Sequence, residues 1–255
     1  MRLATWNVNS LKVRLPHVLD WLATADCDVL CLQETKLTDD KFPVESLATA
    51  GYSAEYSGQK TYNGVAILSR LPMAGVTRDL PNFADPQKRL MAATVSGVRI
   101  VCAYIPNGQS VDSDKYRYKL DWLDALQGYV RAQSALHPHL ALLGDYNIAP
   151  EDRDVHDPAA WQGQVLVSPR ERAHFEALLA LGFKDCFRMF DQPEKLFSWW
   201  DYRMLGFRRN AGLRIDHILA SPALAETCRA CVIDKEPRRR EQPSDHTPVI
   251  ADFSL

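Results

Sequence analysis

Residues 140–150 read LALLGDYNIAP, a short apolar run that ends in an acid, an aromatic residue and an amide. An apolar run of this length, bounded by turn residues, is typical of a buried strand. Asp145 and Asn147 stand where that strand ends, and strand ends of an α/β fold commonly converge on one crevice. The stretch therefore predicts a sheet and a polar site at one edge of it.

Similar apolar runs recur along the chain, with helical patterns between them. Strands are predicted at residues 2–6, 28–33, 64–69, 91–95, 99–104, 213–220 and 248–253. Helices are predicted at residues 14–24, 118–136 and 168–182, where apolar residues recur every three or four positions; Ser168 caps the last helix and Gly182 ends it. Because two β-rich halves follow one another without a linker, residues 1–255 are predicted to form a single α/β domain of stacked sheets covered by helices.

Composition excludes several classes of protein. The chain has 30 basic and 32 acidic side chains, so any surface for phosphate groups must be local. Six cysteines lie mostly in apolar runs, and a chain of 255 residues needs no disulfide framework, which predicts reduced thiols in a cytoplasmic protein. Cys228 and Cys231 form a CxxC without a second pair at zinc-ligand spacing. No run is long enough for a membrane span or signal peptide, and without a zipper or repeat we expect a monomer.

Polar residues gather where the predicted strands end. They are Asn7, Asn9, Gln33, Glu34, Tyr104, Asn107, Asp145 and Asn147. Such sets of carboxylate and amide oxygens suit a hard divalent cation such as Mg²⁺ or Mn²⁺. The alternative for each one alone is a turn residue or a helix cap. Together they predict a cation site at one edge of the sheets.

A further acid lies inside a predicted strand. Asp216 is flanked by apolar residues in LRIDHILAS, so its buried carboxylate needs a partner, and His246 is the natural one. The free nitrogen of His246 then faces the crevice as a base or as a donor to phosphate. His217 is expected on the opposite face of the strand. A serine nucleophile at Ser244 is disfavoured because no G-x-S-x-G elbow is present.

Seven motifs carry a resemblance to a known family. TWNVNS, LQETK, YNGVAILSR, LLGDYNIAP, FSWWDYR, GLRIDHILAS and PSDHTPV resemble, in order, those of exonuclease III. That family of bacterial abasic-site endonucleases belongs to the endonuclease/exonuclease/phosphatase superfamily. The resemblance covers essentially the whole chain. It implies a four-layered α/β sandwich, with two packed mixed β-sheets flanked by helices, and a metal-dependent hydrolase of DNA phosphodiesters.

The resemblance also implies roles for the strand-end residues. Glu34 would be the main metal ligand, with Asn7 and Asp245 close to the cation. The full metal set comprises Asn7, Glu34, Asp145, Asn147, Asp245 and His246. Asp145, assisted by Asn147, would orient or deprotonate the attacking water. The catalytic set comprises Tyr104, Asp145, Asn147, Asp216 and His246, in which Tyr104 and His246 contact the phosphate. Whether one or two metals act, and whether Asp145 or His246 is the base, stays open.

DNA recognition is expected mainly in residues 197–214, where aromatic residues interleave with arginines. Residues 202–215 hold four arginines and no acid, which makes a local basic patch. By resemblance, Trp199, Trp200 and Leu213 line the pocket for an extrahelical abasic sugar. The alternative is that the aromatic side chains are core and the arginines a solvated face. The DNA-binding set comprises Lys60, Asn63, Trp199, Trp200, Arg203, Arg208, Arg209 and Leu213. Lys36 and Arg89 are further candidates, and residues 238–240 form an exposed basic run.

These observations predict a Mg²⁺-dependent DNA-repair nuclease, with Mn²⁺ as a substitute. Its partner is double-stranded DNA, which it would cut 5′ to abasic sites and trim as a 3′-5′ exonuclease and 3′-phosphodiesterase or phosphatase. Leu166 stands where relatives carry small or polar residues near the DNA path, so incision at abasic sites is expected to be weak relative to 3′-end trimming. The alternatives are a phosphatase of inositol phosphates or sphingolipids and a non-catalytic nucleic-acid-binding module.

Overall fold

Strands and helices alternate along the chain in the computed structural model, which describes residues 1–81 and 83–255. The strands are β1 (Arg2–Asn7), β2 (Val29–Gln33), β3 (Ser53–Ser57), β4 (Val65–Ser69), β5 (Met73–Arg78), β6 (Leu90–Val95), β7 (Val98–Tyr104), β8 (Leu140–Asp145), β9 (Lys184–Asp185), β10 (Trp199–Trp200), β11 (Gly212–Leu213), β12 (Asp216–Ala220), β13 (Cys228–Ile233) and β14 (Val249–Phe253). The helices are α1 (Leu11–Ala25), α2 (Val44–Thr49), α3 (Asp114–Leu136), α4 (Pro158–Trp161), α5 (Pro169–Ala180) and α6 (Pro222–Ala225).

Two six-stranded sheets form the centre of the structure. The first has the order β13-β14-β1-β2-β4-β3 and the second β5-β6-β7-β8-β12-β9. Both are mixed, because β1 runs parallel to β2 and β7 parallel to β8, while the other pairs are antiparallel. The predicted sandwich of two mixed sheets is therefore confirmed.

Three apolar clusters divide the structure into four layers. The cluster between the sheets includes Leu3 and Ile67 from the first sheet and Ile100 and Leu143 from the second. A second cluster joins the outer face of the first sheet to α1 and α2, and a third joins the outer face of the second sheet to α3 and α5. Burial of these apolar faces removes the sheets from water on both sides.

Local sequence determines where α5 begins and ends. Ser168 accepts a hydrogen bond from the backbone of Glu171, whose side chain accepts one from the backbone of Ser168, and Pro169 occupies the first turn. This reciprocal cap satisfies two of the free N–H groups at the helix start. Gly182, with a φ of 100°, follows the end of the helix. The predicted start and stop are both confirmed.

Strand register brings the strand ends of both sheets to the same edge. Asn7 pairs with Gln33 at the ends of β1 and β2. Asp145, the last residue of β8, pairs with Tyr104 on one side and with Asp216 on the other. The polar residues that follow these strands are therefore neighbours in space. In the part of the chain that is described, no helix combines the length and apolar character needed to cross a membrane.

Candidate active site

Side chains from the two sheets meet at this edge in a connected group, here called the acid cluster: Asn7, Glu34, Asp145, Asp216 and His246. Asn7 joins the sheets, because its Nδ2 donates hydrogen bonds to Glu34 Oε1 at 2.8 Å and to Asp145 Oδ2 at 2.9 Å. Asn7 is fully buried, and Asp145 is 1% exposed. The two carboxylates are thus held at a fixed separation by one amide.

His246 is oriented by Asp216 from behind. His246 Nδ1 lies 2.9 Å from Asp216 Oδ2, and Ser198 Oγ donates to the same oxygen at 2.6 Å. His246 Nε2 then faces the cluster, 3.7 Å from Asp145 Oδ2. The partnership of Asp216 and His246 expected from the sequence is present. His217 turns to the other face, where its Nε2 lies 2.8 Å from Ile148 O.

Burial and charge set the protonation of His246 and Asp145. Burial raises the pKa of Asp145 to about 7; the charge of Asp216 adds to this rise and that of His246 opposes it. Burial lowers the pKa of His246, but the charges of Asp216 and Asp145 outweigh it and raise the value to about 10. At neutral pH His246 is therefore a cation, which makes it a hydrogen-bond donor.

Glu34 is held by groups on both of its oxygens. Tyr104 donates its hydroxyl to Glu34 Oε1 at 2.9 Å, and Lys36 Nζ lies 2.8 Å from Oε2. Burial acts to raise the pKa of Glu34, but Lys36 and Asn7 outweigh it, so the net pKa is lowered and Glu34 is ionised. Burial and the charge of Glu34 raise the pKa of Tyr104 well above its usual range, which keeps the phenol a donor. Lys36, a candidate for DNA contact, thus pairs with Glu34.

Asn147 and Asn107 lie beside Asp145. The backbone N–H of Asn147 donates to Asp145 Oδ1 at 2.9 Å, and Asn107 Nδ2 donates to Asn147 Oδ1 at 3.1 Å. Both Glu34 and Asn147 have left-handed backbones, with φ of 53° and 49°. Non-glycine residues in this region are uncommon and cluster at functional sites, where the surrounding structure maintains them.

Asp245 lies next to the acid cluster, and its two carboxylate oxygens accept hydrogen bonds from residues outside the cluster. Asn9 Nδ2 donates to Asp245 Oδ1 at 3.0 Å, and Trp199 Nε1 donates to Oδ2 at 3.0 Å. Lys36 Nζ donates to Asn9 Oδ1 at 2.5 Å, so Asn9 connects Asp245 to the partner of Glu34. Asn9 lies outside the predicted metal and catalytic sets, and its position two residues after Asn7 is the feature of the sequence that indicates its role.

The predicted pocket residues lie beside Asp245, and they differ in exposure. Trp199 is partly exposed, whereas Trp200 and Leu213 are fully buried. Trp199 pairs with Leu213 between β10 and β11, and an isolated bridge joins Trp199 to His246. The aromatic wall is therefore attached by its backbone directly to the acid cluster. Ser198, which holds Asp216, precedes this wall, and nothing in the sequence pattern singled it out.

The arginines of the predicted basic patch divide into two groups. Arg203, Arg208 and Arg209 are exposed, in agreement with a surface role. The inclusion of Arg214 is wrong, because its side chain is 1% exposed and forms ion pairs with Asp154 and Asp185. We call residues 199–209 the recognition segment. Its surface charge comes from three arginines and not four.

The run of residues 238–240 is also not uniformly exposed. Arg238 is 7% exposed; its guanidinium lies 5.2 Å from the ring centre of Tyr202 and 5.1 Å from that of Phe207. Its Nη2 donates to Trp200 O at 3.3 Å. The prediction of an exposed basic run is therefore wrong at Arg238, which supports the recognition segment from beneath.

On the other side of the acid cluster lies an open cavity of ≈ 690 Å³. Its lining includes Tyr104, Asn107, Asn63 and Arg89. Arg89 packs over the Tyr104 ring at 4.7 Å, and Asn63 is bound by Gln59 and Gln87. Lys60, which precedes Asn63 in the same loop, is exposed. Amide and guanidinium groups thus line the space that leads to the cluster.

Comparison with known proteins identifies the family. Residues 4–246 match the Endonuclease/Exonuclease/phosphatase family. The chain is 35% identical to exodeoxyribonuclease III of Haemophilus influenzae over 267 residues, which cover 99% of this chain and 100% of that protein. The chain belongs to the exonuclease III family. The predicted family and the predicted class of enzyme, a DNA-repair nuclease of the exodeoxyribonuclease III type, are thereby confirmed.

Solved structures of exonuclease III relatives share the whole fold. NExo, a 3′ phosphatase from Neisseria bound to a product DNA hairpin, has a TM-score of 0.98 and 48% identity, with 100% of both chains covered. An AP endonuclease from Archaeoglobus fulgidus has a TM-score of 0.96 and 38% identity, again over 100% of both chains. The four-layered architecture is therefore that of DNA-acting members of the family.

The acid cluster of this exonuclease III family member fits the metal dependence of the family. Glu34, Asp145 and His246 each offer one ligand atom, and these atoms lie within 4.8 Å of one another. Two carboxylates supply the hard oxygen ligands that suit a divalent cation. The cluster therefore offers oxygen ligands for a cation and also, beside Asp145, a cationic hydrogen-bond donor, His246.

Proposed function

We propose that this protein hydrolyses DNA phosphodiesters during repair, cutting 5′ to abasic sites and removing nucleotides or blocking groups from 3′ ends. The observation that carries the proposal is the line of contacts from Asp216 through His246 to Asp145, Asn7 and Glu34. It joins three carboxylates, one imidazole and one amide in one small volume, which supports their proposed roles as base, donor and metal ligands. In-line displacement at phosphorus needs groups on both the attacking and the departing side.

We propose Mg²⁺ as the physiological cation, with Mn²⁺ as a substitute. Glu34 would hold it with Asn7 and Asp245 close by, and Asp145 and Asn147 would lie around it. His246, which the resemblance also places in this set, would face the site as a protonated donor and not as a ligand. Bound there, the cation would neutralise charge on the scissile phosphate and stabilise the departing 3′ oxygen. Support comes from the carboxylates of Glu34 and Asp145. Asn7 and Asn147 turn their Nδ2 groups toward these carboxylates, and their Oδ1 atoms accept from Asn9 N and Asn107 Nδ2.

Asp145 is the proposed base for the attacking water. Its Oδ1 is occupied by the backbone N–H of Asn147 and its Oδ2 by Asn7, so the carboxylate is fixed in one orientation. Asn147 assists by orienting the same water. His246 is the less suitable base, because its pKa of about 10 keeps it protonated at neutral pH.

His246 and Tyr104 are the proposed donors to the phosphate. The Nε2–H of the His246 cation faces the cluster, while Asp216 holds Nδ1 at 2.9 Å. The Tyr104 hydroxyl, 2.9 Å from Glu34, lies at the border of the cluster and the ≈ 690 Å³ cavity. Fixed donors of this kind stabilise the negative charge that develops on the phosphate oxygens.

Double-stranded DNA is the proposed partner, and the two sides of the cluster would contact it. On one side the partly exposed Trp199 would contact the sugar, with the buried Trp200 and Leu213 packed behind it as the wall of the pocket. Arg203, Arg208 and Arg209 would contact the DNA backbone. On the other side Lys60 and Asn63 would contact phosphates. Positive charge and aromatic planes are the means by which proteins bind nucleic-acid backbones and unpaired bases.

We expect the protein to bind DNA as a monomer, which light scattering would check.

We propose further that 3′-end trimming is faster than incision at abasic sites. Leu166 is 4% exposed and lies in one apolar cluster with Leu213, against which Trp199 packs. A leucine there takes up space behind the proposed sugar pocket. The Neisseria relative NExo, at 48% identity, is named as a 3′ phosphatase and as a 3′-5′ exonuclease in two of its structures, which supports the same order of activities.

A direct comparison of substrates tests the proposed function. The purified protein is incubated with Mg²⁺, with Mn²⁺ or with EDTA on an abasic duplex, a 3′-phosphate duplex and a 3′-recessed duplex. We expect metal-dependent product from the 3′-ended substrates and slower product from the abasic duplex. No product from any DNA with either metal would refute the proposal.

Leu166→Gly tests the order of activities. The φ of Leu166 is 76°, a conformation that glycine adopts without strain, so the variant should fold. We expect it to raise abasic-site incision by several times more than 3′-end trimming. Equal changes in the two rates would show that Leu166 does not limit the space in the pocket.

A further inference from the structure

A fully buried ion pair lies directly behind the acid cluster. Lys119 of α3 and Glu171 of α5 are both 0% exposed, and Lys119 Nζ donates to Glu171 Oε1. Burial acts to lower the pKa of Lys119, and Glu171 opposes this. A buried ion pair is weak evidence of a role in stability, since apolar replacements of such pairs are often neutral or stabilising. The positions of its remaining hydrogen bonds are more informative.

Lys119 holds the backbone of two site residues. Its Nζ donates to Asn147 O at 2.7 Å and to Asn107 O at 3.1 Å. Asn147 keeps a left-handed backbone and donates its N–H to Asp145 Oδ1 at 2.9 Å. Because the three ammonium protons have three fixed acceptors, Lys119 holds the carbonyl of Asn147, the residue whose N–H binds the proposed base.

Glu171 holds a second segment through the same pair. Its Oε1 accepts from the backbone N–H of Leu166 at 3.0 Å, and its Oε2 accepts from Ser168 N at 3.1 Å. Leu166 packs in one cluster with Leu213, a proposed wall of the sugar pocket. The pair therefore connects the peptide beside Asp145 to the segment behind the pocket.

The backbone at Gly108 makes room for the lysine. A Cβ at this position would lie 3.1 Å from Lys119 Cδ, and the φ of Gly108 is 92°. A side chain would press on the lysine stem and strain the backbone. The chain therefore approaches the stem of Lys119 as closely as glycine permits, directly after Asn107.

We propose that Lys119 and Glu171 form a positioning pair, which holds the peptides of Asn107 and Asn147 in the arrangement that hydrolysis needs. The proposal rests on the proposed function. Neither side chain touches substrate; both act through Asn147, whose N–H binds Asp145. Loss of the pair should therefore lower the rate of the chemical step and leave DNA binding in place.

The test uses the double variant Lys119→Met/Glu171→Gln, which removes both charges together and so leaves no unpaired buried ion. Steady-state rates are measured on a 3′-recessed duplex at saturating Mg²⁺. We expect kcat to fall by roughly 10- to 100-fold, as small misplacements of reacting groups do, with KM within about threefold of the wild type. Lys119→Gln/Glu171→Gln serves as a second variant if the first does not fold.

Arg99→Met is the matched control. Arg99 is also a buried cation, 4% exposed, that donates to Gly75 O and Gln133 Oε1, but it lies near the opposite end of β7 from Tyr104. Its loss should lower the midpoint of denaturation and leave kcat within about twofold, because distant sites act independently.

The outcomes separate the two proposals. An active wild type whose folded double variant keeps its kcat would overturn the positioning pair alone. An equal fall in kcat for Arg99→Met would show a general effect of lost stability, and failure of both double variants to fold would show that the pair is only structural. A wild type that leaves all DNA intact would refute the proposed function first.

Discussion

The acid cluster and the recognition segment lie side by side, but one is closed and the other is open. Asn7, Asp145 and Asp216 are at most 1% exposed, and hydrogen bonds join them to the rest of the cluster. In the recognition segment, by contrast, Met204 is 79% exposed and Leu205 is 64% exposed. A backbone bridge joins Trp199 of the recognition segment to His246 of the acid cluster, and neighbouring Asp245 accepts hydrogen bonds from Trp199 Nε1 and from the backbone N–H of Trp200.

This difference indicates a division of labour. Buried polar groups that are fully hydrogen-bonded are rigid, which suits the fixed geometry that a chemical step requires. Exposed arginines and apolar side chains contribute to binding through contact with a partner, and their positions can adjust to it. Substitutions in the acid cluster should therefore change rates, and substitutions in the recognition segment should change affinities.

Asp145→Asn should have the largest effect. The variant keeps the shape of the side chain and removes the proposed base, so we expect kcat to fall by about 10²- to 10⁴-fold. DNA affinity should stay within about threefold, because Asp145 is buried and lies away from the DNA backbone contacts. Single-turnover rates at saturating enzyme, with anisotropy for binding, measure both. A fall in kcat smaller than tenfold would exclude Asp145 as the base.

Asp245→Asn should have the next largest effect, on metal rather than on DNA. Asp245 lies at the border of the two regions and is proposed to be close to the cation. We expect the Mg²⁺ concentration for half-maximal activity to rise by roughly 10- to 100-fold, as losses beside metal ligands do. At saturating Mg²⁺ the rate should recover most of its value. Parallel titrations of Asp245→Asn and His246→Asn check this; identical curves would contradict a division between metal and chemistry.

Arg238→Met should weaken the support of the recognition segment. The guanidinium contacts Tyr202 and Phe207 and donates to Trp200 O. Loss of these contacts, worth about 1–2 kcal/mol, should raise the Kd for DNA by roughly 10-fold without changing the saturated rate. Arg239, whose side chain is 61% exposed and pairs with Glu236, offers the control Arg239→Met, which should bind DNA nearly as the wild type does. Equal losses in the two variants would show a charge effect only.

Arg203→Gln should have the smallest effect. Arg203 is exposed and its guanidinium already binds Asp201 through Nε and Nη2. An exposed pair of this kind is worth about 0–1 kcal/mol, so the change in Kd should not exceed about twofold. The slope of affinity against salt, measured by anisotropy, should change less than for Arg208→Gln, because Arg208 is exposed without such a partner in the hydrogen bonds described. A larger change for Arg203 would reverse this order.

The sequence predicted the central strands and missed those at the sheet edges. The predicted runs at β1, β2, β4, β7 and β8 are continuous and fully or almost fully buried. The edge strands β3, β5 and β13 alternate between buried and exposed positions or face solvent, so no apolar run marks them. Edge strands are stabilised by one neighbour, and their sequence pattern is correspondingly weak.

The sequence predicted the site correctly where a buried acid needed a partner. It was a poor guide to which arginines lie on the surface. Asp216 sits among apolar residues, and this context identified His246 as its partner. Arg214 and Arg238 looked like surface charges, but both are buried by partners distant in sequence, Asp154 for the first and Tyr202 for the second. Pairing of this kind depends on the assembled sheets and loops. No local sequence pattern indicates this pairing.

One measurement tests the division between the two regions most directly. The affinity for a 3′-recessed duplex, measured in EDTA, and the single-turnover rate in Mg²⁺ are compared for His246→Asn and for Arg208→Gln/Arg209→Gln. We predict that His246→Asn lowers the rate by about 10²-fold or more with unchanged affinity, and that the arginine variant weakens affinity with an unchanged saturated rate. If each variant lowers both quantities alike, the two regions do not have separate roles.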